Sequence, residues 1–281
     1  MKLKAKALKT PLRTVYSTGR TMIVNYLIKP KGRIIAIGDV HGCIFELNEL
    51  ILKLDPTTDD TIVFLGDLVD RGPSSGAVIY YIRALSAKYS VHCVMGNHDE
   101  RHARYRTHLD RKLSDPSYKI HMNINQAFKE THEDIGVANA DWLTKLPHAI
   151  VFRPRCDGDE QVVCVHAGML PSRFNQDPKA FIRNRFVIRH ATTGKLVPAQ
   201  SIEKDGQWYV PEGSVEWYQY WPGDWKVIFG HSVRDYPTVV NNCYGIDTGC
   251  CFGKRLTAMI IEDGKEAVFM DVPAQKVYVE R

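Results

Sequence analysis

Gly66-Asp67-Leu68-Val69-Asp70-Arg71-Gly72 follows an apolar run, Thr61–Leu65, and sets two carboxylates and a guanidinium between two glycines. Related phrases stand on either side. Gly38-Asp39-Val40-His41-Gly42 follows Arg33–Ile37, and Gly96-Asn97-His98-Asp99 follows Val91–Met95. Asp39, Asp67 and Asn97 are 28 and 30 residues apart, the length of a strand–helix–strand unit. Between them, Leu47, Leu50, Ile51 and Leu54 recur at helical spacing in Phe45–Leu54. Ser74–Lys88 reads as a second helix, opened by Pro73 and capping serines. Farther on, Val162–Val165 runs into His166-Ala167-Gly168, Val227–Phe229 runs into Gly230-His231-Ser232, and Leu256–Ile261 reads as another strand. Every one of these polar groups falls just past the carboxyl end of a buried strand, where α/β sheets place their sites. The pattern predicts an α/β fold.

The residue types point to metal chemistry. Hard oxygen donors mixed with imidazoles suit a pair of divalent cations. Asp67 can bridge two cations, Asp39 and His41 can complete one site, and Asn97, His166 and His231 the other. Such a pair, roughly 3.5–4 Å apart, activates a water between its members and clamps the attacking and leaving oxygens. His98 stands beside Asn97 and is free to act as general acid. Asp70 can orient it, as carboxylates orient catalytic imidazoles. Arg71 offers a bidentate fork to phosphoryl oxygens.

Asp-x-His, Gly-Asp-x-x-Asp-Arg, Gly-Asn-His-Asp, Val-His-Ala-Gly and Phe-Gly-His-Ser, in this order, resemble the phosphoprotein phosphatase branch of the calcineurin-like metallophosphoesterases. The resemblance runs from about Arg33 to Val272. Gly245-Ile246-Asp247-Thr248-Gly249-Cys250-Cys251-Phe252-Gly253-Lys254-Arg255-Leu256-Thr257-Ala258 narrows it to compact bacterial and phage members. These are the diadenosine tetraphosphatase-like enzymes, the lambda-phosphatase-like enzymes and the phosphatase modules of RNA-repair proteins. The resemblance implies a sandwich of two central β-sheets flanked by helices, with the metals at the sheet edge. It implies hydrolysis of phosphate monoesters by a metal-bridging hydroxide, in the manner of protein serine/threonine phosphatases. The alternative is a dinucleoside polyphosphate hydrolase or an RNA-end phosphatase. Mn2+ is the expected metal, with Fe, Zn or Ni as substitutes. Asn97 is expected to touch the phosphate as well as a metal. A second phosphate-binding arginine is expected after Val-His-Ala-Gly. Phe181-Ile182-Arg183 occupies that place, so Arg183 is the candidate and Arg185 the next. A binding module that had kept only the fold would be expected to have lost a ligand or the acid, and none is missing.

The net charge of +5 conceals an asymmetry. Residues 1–33 hold nine Lys/Arg and no acid, and the remainder is slightly acidic. Residues 1–32 are expected to form a basic arm or edge segment, and 33–281 a single metallophosphoesterase domain. The basic stretches 1–33 and 101–112 are the places where nucleic acid could be contacted. No apolar run is long enough for a membrane span. Seven cysteines without paired CxxC spacing argue against a disulfide framework or a zinc finger, and a reducing cytoplasm fits. Regions 101–146 and 187–225 are expected around the mouth of the site, the Trp/Tyr-rich 208–225 more as core than as a platform. His92, His102, His108, His121, His132, His148 and His190 read as satisfied core or surface residues. The expected substrate is a phosphorylated protein, nucleotide or RNA end, and no membrane partner is expected.

Overall fold

Ile34 and Ala36 face one way from their strand and Ile35 and Ile37 the other, and all four are buried. Only a strand covered on both faces reads this way. The computed structural model describes residues 12–15, 21–154, 160–174, 176–199, 202–204 and 207–280. In chain order, β1 (Leu12–Val15) and β2 (Thr21–Ile28) precede β3 (Ile34–Ile37), α1 (Ile44–Leu54), β4 (Thr61–Phe64), α2 (Ser75–Leu85) and β5 (Ser90–Cys93). Helices α3 (Asn97–Ser114), α4 (Gln126–Ile135) and α5 (Val137–Leu143) follow. Then come β6 (Ala149–Arg153), β7 (Val162–Val165) and α6 (Pro178–Arg183). Short strands β8 (Phe186–Arg189), β9 (Leu196–Pro198), β10 (Ile202–Lys204), β11 (Gln207–Tyr209) and β12 (Val215–Glu216) come next. The last are β13 (Lys226–Phe229), β14 (Thr238–Val240), β15 (Cys243–Gly245), β16 (Arg255–Ile261) and β17 (Val268–Pro273).

Two sheets carry the fold. One has the order β17-β16-β3-β4-β5, with β3, β4 and β5 parallel. The other has the order β1-β2-β6-β7-β13-β15-β14, with β7, β13 and β15 parallel. They pack face to face through Ile34, Ala36, Val63, Leu65 and Met259 on one side and Ile150, Phe152, Val162, Cys164 and Ile228 on the other. The outer face of the five-stranded sheet is covered by Leu47 and Leu50 of α1, Val78 and Ile82 of α2, and Leu143 of α5. The outer face of the seven-stranded sheet is covered by Phe181 of α6 and by Trp217 and Trp221. This is the expected sandwich of two central sheets, with one outer layer built more from an aromatic segment than from helices.

The helices are tied down at their ends. Ser74 Oγ accepts from Ala77 N–H at 3.1 Å and caps α2, a device worth about 1 kcal/mol. Asp134 of α4 accepts from Gly76 N–H at 2.8 Å, bolting α4 to the start of α2. Glu46 of α1 accepts from Gln275 N–H at 2.8 Å and Tyr278 O–H at 2.9 Å, holding the C-terminal segment.

Thr21–Ile28 lies inside the seven-stranded sheet, between β1 and β6, and buries Met22 and Val24. Residues 1–11 lie outside the described residues. Of the segment 208–225, Trp217, Tyr218 and Trp221 are buried, as the core reading expects, while Tyr209 and Tyr220 are exposed. Trp217 braces the site from behind, its Nε1–H donating to Ala167 O at 3.1 Å, rather than lining a mouth. Among the described residues the cysteines are buried and free, and Cys156 lies outside them. No described helix is long and apolar enough to cross a membrane.

Candidate active site

The two parallel triplets bring their carboxyl ends to one cleft. Beyond β3, β4 and β5 lie Asp39 and His41, Asp67, and Asn97 with His98. Beyond β7, β13 and β15 lie His166, His231 and Asp247. Each sheet therefore supplies half of the site. The loops are laced together by backbone bonds, His41 N–H to Asp67 O at 2.8 Å and Gly230 N–H to His166 O at 2.7 Å among them. The cleft, of about 220 Å³, is lined by Asp39, His41, Asp67, Arg71, Asn97, His98, Arg185, His231, Val233 and Phe252.

Backbone strain gathers here. Of the nine described non-glycine residues with positive φ, five are His41, Asp67, Asp70, Arg71 and His231. Such conformations cost of order 1–3 kcal/mol each and persist where surroundings enforce them, commonly at functional sites. Packing leaves no room for a side chain at several glycines, and at two of them the clash is with a site carboxylate. A Cβ on Gly230 would overlap Asp39 Oδ1, and one on Gly96 would overlap the backbone and carboxylate of Asp67.

The imidazoles are aimed by the backbone. His41 Nδ1–H donates to Val69 O at 2.8 Å and His166 Nδ1–H to Leu65 O at 2.8 Å, which turns each Nε2 toward Asp67. His41 Nε2 is 3.5 Å from Asp67 Oδ2, and His166 Nε2 is 3.4 Å from Asp67 Oδ1. His166 Nε2 also lies 3.1 Å from Asn97 Oδ1 and 3.2 Å from His231 Nδ1. Fixing one ring nitrogen on a carbonyl is how proteins orient a metal-binding histidine. Asp39 accepts from His231 N–H at 3.1 Å. Asp67 accepts from His98 N–H at 2.9 Å, in the first turn of α3, where the helix dipole favours negative charge. Asp99 reaches back to Gly96 N–H at 2.9 Å and across to Leu68 N–H at 3.0 Å, clamping two motif loops together.

These residues fit a pair of cations. Donor atoms of His41, Asp67 and His98 cluster within 4.8 Å, as do those of Asp67, His166 and His231, so Asp67 belongs to both groups. The electrostatics point the same way. Burial and the neighbouring Asp247 push the Asp39 carboxyl well above the usual range. Burial likewise raises Asp247. Asp67 stays ionised because the His166 and His98 charges outweigh its burial. Burial would lower His166, yet Asp67 and Asp39 beside it push it up to about 9. Burial holds His41 down to about 3, and burial with His166 keeps His231 well below its ordinary value.

The remaining expected groups line up around this centre. His98 Nδ1–H donates to Asp70 Oδ2 at 2.6 Å, leaving Nε2 toward the cleft. Asp70 is held well below the usual carboxylate range, because the bonds from His102 and His98 outweigh burial. Arg71 places Nη1 at 2.9 Å from His41 Nε2 and Nη2 at 3.2 Å from His98 Nε2, with its guanidinium over Phe252. Arg183 points elsewhere, pairing with Glu100 at 3.3 Å on an exposed surface. Arg185 lines the cleft and donates to His231 O at 3.1 Å. The basic stretch of α3 is largely engaged. Arg101 donates to Asn123 O and lies over Phe128, Arg104 pairs with Glu100, and Arg106 pairs with Asp110 and Asp141.

Two groups at the site were not singled out from sequence. Asp247 follows a strand of only three residues, and its signal was one more acid at a strand end. His102 is fully buried and donates from Nε2 to Asp70 Oδ1 at 2.9 Å. Its signal was the four-residue step from His98 along a helix, which puts both on one face.

Known proteins resemble this chain in sequence and fold. The profile of calcineurin-like phosphoesterases matches residues 32–264. A bis(5′-nucleosyl)-tetraphosphatase PrpE (asymmetrical) of Halalkalibacterium halodurans is 27% identical over 253 residues, spanning 86% of this chain and 94% of that protein. A symmetrical bis(5′-nucleosyl)-tetraphosphatase of Baumannia cicadellinicola is 28% identical, across 85% and 92% of the two chains. The crystal structure of a protein provisionally named a diadenosine tetraphosphatase superimposes with a TM-score of 0.65 at 26% identity, covering 89% of this chain and 97% of that one. Five motifs in order, two half-sites joined by Asp67, and a profile match over most of the length lead to one conclusion: the chain belongs to the calcineurin-like phosphoesterase family and is a metal-dependent phosphoric ester hydrolase.

Proposed function

We propose that this phosphoesterase hydrolyses the phosphoanhydride chain of a dinucleoside polyphosphate, in preference to a phosphoserine or phosphothreonine protein. The observation that carries the reading is the near end-to-end likeness to two bis(5′-nucleosyl)-tetraphosphatases. The cleft supports it. Arg71 stands by the His41 half of the site and Arg185 by the His231 half. Two guanidiniums suit a substrate that brings several phosphoryl charges into one cleft. Phe252 and Val233 add an apolar wall beside them. The engaged arginines of α3 and the buried aromatics of 217–221 lend no comparable support to an RNA track.

Asp39, His41 and Asp67 would hold one cation, and Asp67, Asn97, His166 and His231 the other. Mn2+ is the ion we propose, since the donors are carboxylate, amide and imidazole with no thiolate. Bound there, divalent cations supply Lewis-acid polarisation of the phosphoryl group and a nucleophilic water at neutral pH. The protein's own groups do the rest. Arg71, Arg185 and the Asn97 amide fix the phosphoryl oxygens. His98, held by Asp70, presents Nε2 to the leaving oxygen and delivers the proton it needs, a role worth about 10²–10⁴-fold. Leu68 and Gly96, pinned by Asp99, keep Asp67 and His98 in register. Buried free thiols fit a reducing compartment, and we place the enzyme in the cytoplasm.

Purified protein with Mn2+ should give a higher kcat/KM on diadenosine tetraphosphate than on phosphoserine and phosphothreonine peptides. A preference for the phosphopeptides at matched enzyme and metal would overturn the substrate assignment and restore the protein-phosphatase reading.

A further inference from the structure

Asp70 is shared. Its Oδ2 accepts from His98 at 2.6 Å and its Oδ1 accepts from His102 at 2.9 Å. An ionised carboxylate is acceptor-only, so each ring turns an N–H toward it. His102 has no solvent exposure. Its ring stacks on Phe128 of α4, with centroids 4.2 Å apart and planes 10° apart. Its other nitrogen, Nδ1, lies 3.2 Å from Nδ1 of His132, also on α4. The two imidazoles are near-coplanar in direction, at 5°, and Tyr105 packs edge-on against His132. Burial and the neighbouring His102 hold His132 down to about 4, so it is uncharged at neutral pH and can share a single hydrogen with His102.

We infer that His102 is a positioning residue for the leaving-group acid, setting His98 through Asp70, and that α4 sets His102 in turn through Phe128 and His132. This rests on the assignment of His98 as acid and adds a layer that the motifs do not contain. Both Asp70 oxygens are fixed only when both histidines are in place. With Oδ1 released, the carboxylate can rotate about its last bond, and the short contact to His98 loses its fixed direction. The acid would then reach the leaving oxygen in the right orientation less often. Arg185 lies on another loop, and Arg71, although it follows Asp70, is held by its own contacts to His41 Nε2 and Phe252, so the phosphate-binding guanidiniums keep their places. The effect therefore depends on how much the leaving group needs a proton.

The test is a leaving-group series. His102→Phe keeps a ring to stack on Phe128 and removes the donor to Asp70. His102→Ala removes the donor with no steric demand, and serves where the larger ring is not tolerated. His102→Gln returns an N–H toward Asp70. Each Mn2+-loaded variant is assayed on phenyl phosphate and 2,4-dinitrophenyl phosphate beside wild type and His98→Asn. Loss of the donor should lower kcat on phenyl phosphate by roughly 10–100-fold, as for other groups that orient a catalytic side chain. KM and turnover of the dinitrophenyl ester should hardly change, and His102→Gln should recover most of the loss. Equal losses on both esters, or full activity in His102→Phe or His102→Ala on phenyl phosphate, would overturn the positioning role and leave the hydrolase reading intact. A wild-type protein with no metal-dependent turnover of either ester would overturn the reading beneath it.

Discussion

Replacing Arg185 should damage catalysis far more than replacing Arg183, although the two are a residue apart from adjacency and equally basic. Arg183 ends α6 and turns to Glu100, with its side chain 46% exposed and a long 3.3 Å pair. Exposed pairs of this kind are worth about 0–1 kcal/mol. Arg185 lies past the helix, where Asn184 has already turned to extended backbone, and its guanidinium lines the cleft. A charge-assisted bond to a phosphoryl oxygen contributes about 1.5–3 kcal/mol. At 1.36 kcal/mol per decade, Arg185→Ala should lower kcat/KM by roughly 10–150-fold, and Arg183→Ala by no more than about fivefold. Arg185→Lys should recover only part of the loss, since a point charge does not reproduce the planar fork. The assay is kcat/KM on diadenosine tetraphosphate with Mn2+, alongside thermal unfolding of each variant. A larger loss in Arg183→Ala than in Arg185→Ala, with both proteins folded, would refute the assignment drawn from the cleft.

Three further outcomes are expected. Prolonged chelation should abolish turnover and lower the melting temperature, and Mn2+ should restore both, because saturation at about a thousand times Kd adds some 4 kcal/mol to stability; unchanged turnover in EDTA would sink the metal mechanism. Gly230→Ala should lose bound metal as measured by elemental analysis while still melting cooperatively, since the added methyl displaces Asp39; full metal content would show that the loop can yield. Replacing Arg101, Arg104 and Arg106 together by Ala should cost about 1–2 kcal/mol of stability through the lost Arg106–Asp141 and Arg106–Asp110 pairs and their neighbours, with little change in the ratio of p-nitrophenyl phosphate to dinucleotide turnover; a selective loss on the dinucleotide would return these arginines to the substrate site.

The strands that carry the site could be read from the sequence because they are buried on both faces. Ile34–Ile37 and Val162–Val165 are unbroken apolar runs, and each ends in a glycine or histidine phrase that no structural role explains. Thr21–Ile28 hid because Asn25 breaks its apolar run. Met22 and Val24 face the outer core, Asn25 interrupts the other face, and basic residues flank the whole. Arg183 and Arg185 were hard to separate because the choice depends on the residue at which α6 gives way to extended chain, and a one-residue shift there reverses which side chain meets the cleft. His102 was passed over for a different reason. A histidine on a strongly basic helix looks solvated until α4 is known to cover it. That cover comes from tertiary packing, by way of Asp134 and the start of α2.

The division of the site between two sheets explains why the core behind it is so closely filled. Asp67 is the only donor common to both ligand groups, and it stands at the end of β4, while His166 and His231 stand at the ends of β7 and β13. The 3.4 Å from Asp67 Oδ1 to His166 Nε2 thus bridges the two sheets, and whatever sets their separation sets it too. What separates them is Val63 and Leu65 against Phe152, Val162, Cys164 and Ile228, all buried. A close-packed interior yields little when its volume is kept and collapses only partly when it is not. The apolar layer therefore acts as a spacer for the chemistry, and the strained loops at its edge need only present their side chains into a gap already set. This also accounts for where the strain is tolerated. His41, Asp67, Asp70, Arg71 and His231 are left-handed on loops anchored at both ends by buried strands or by bonds such as Asp99 to Leu68. Relaxing any one of them would mean moving a strand in the layer beneath.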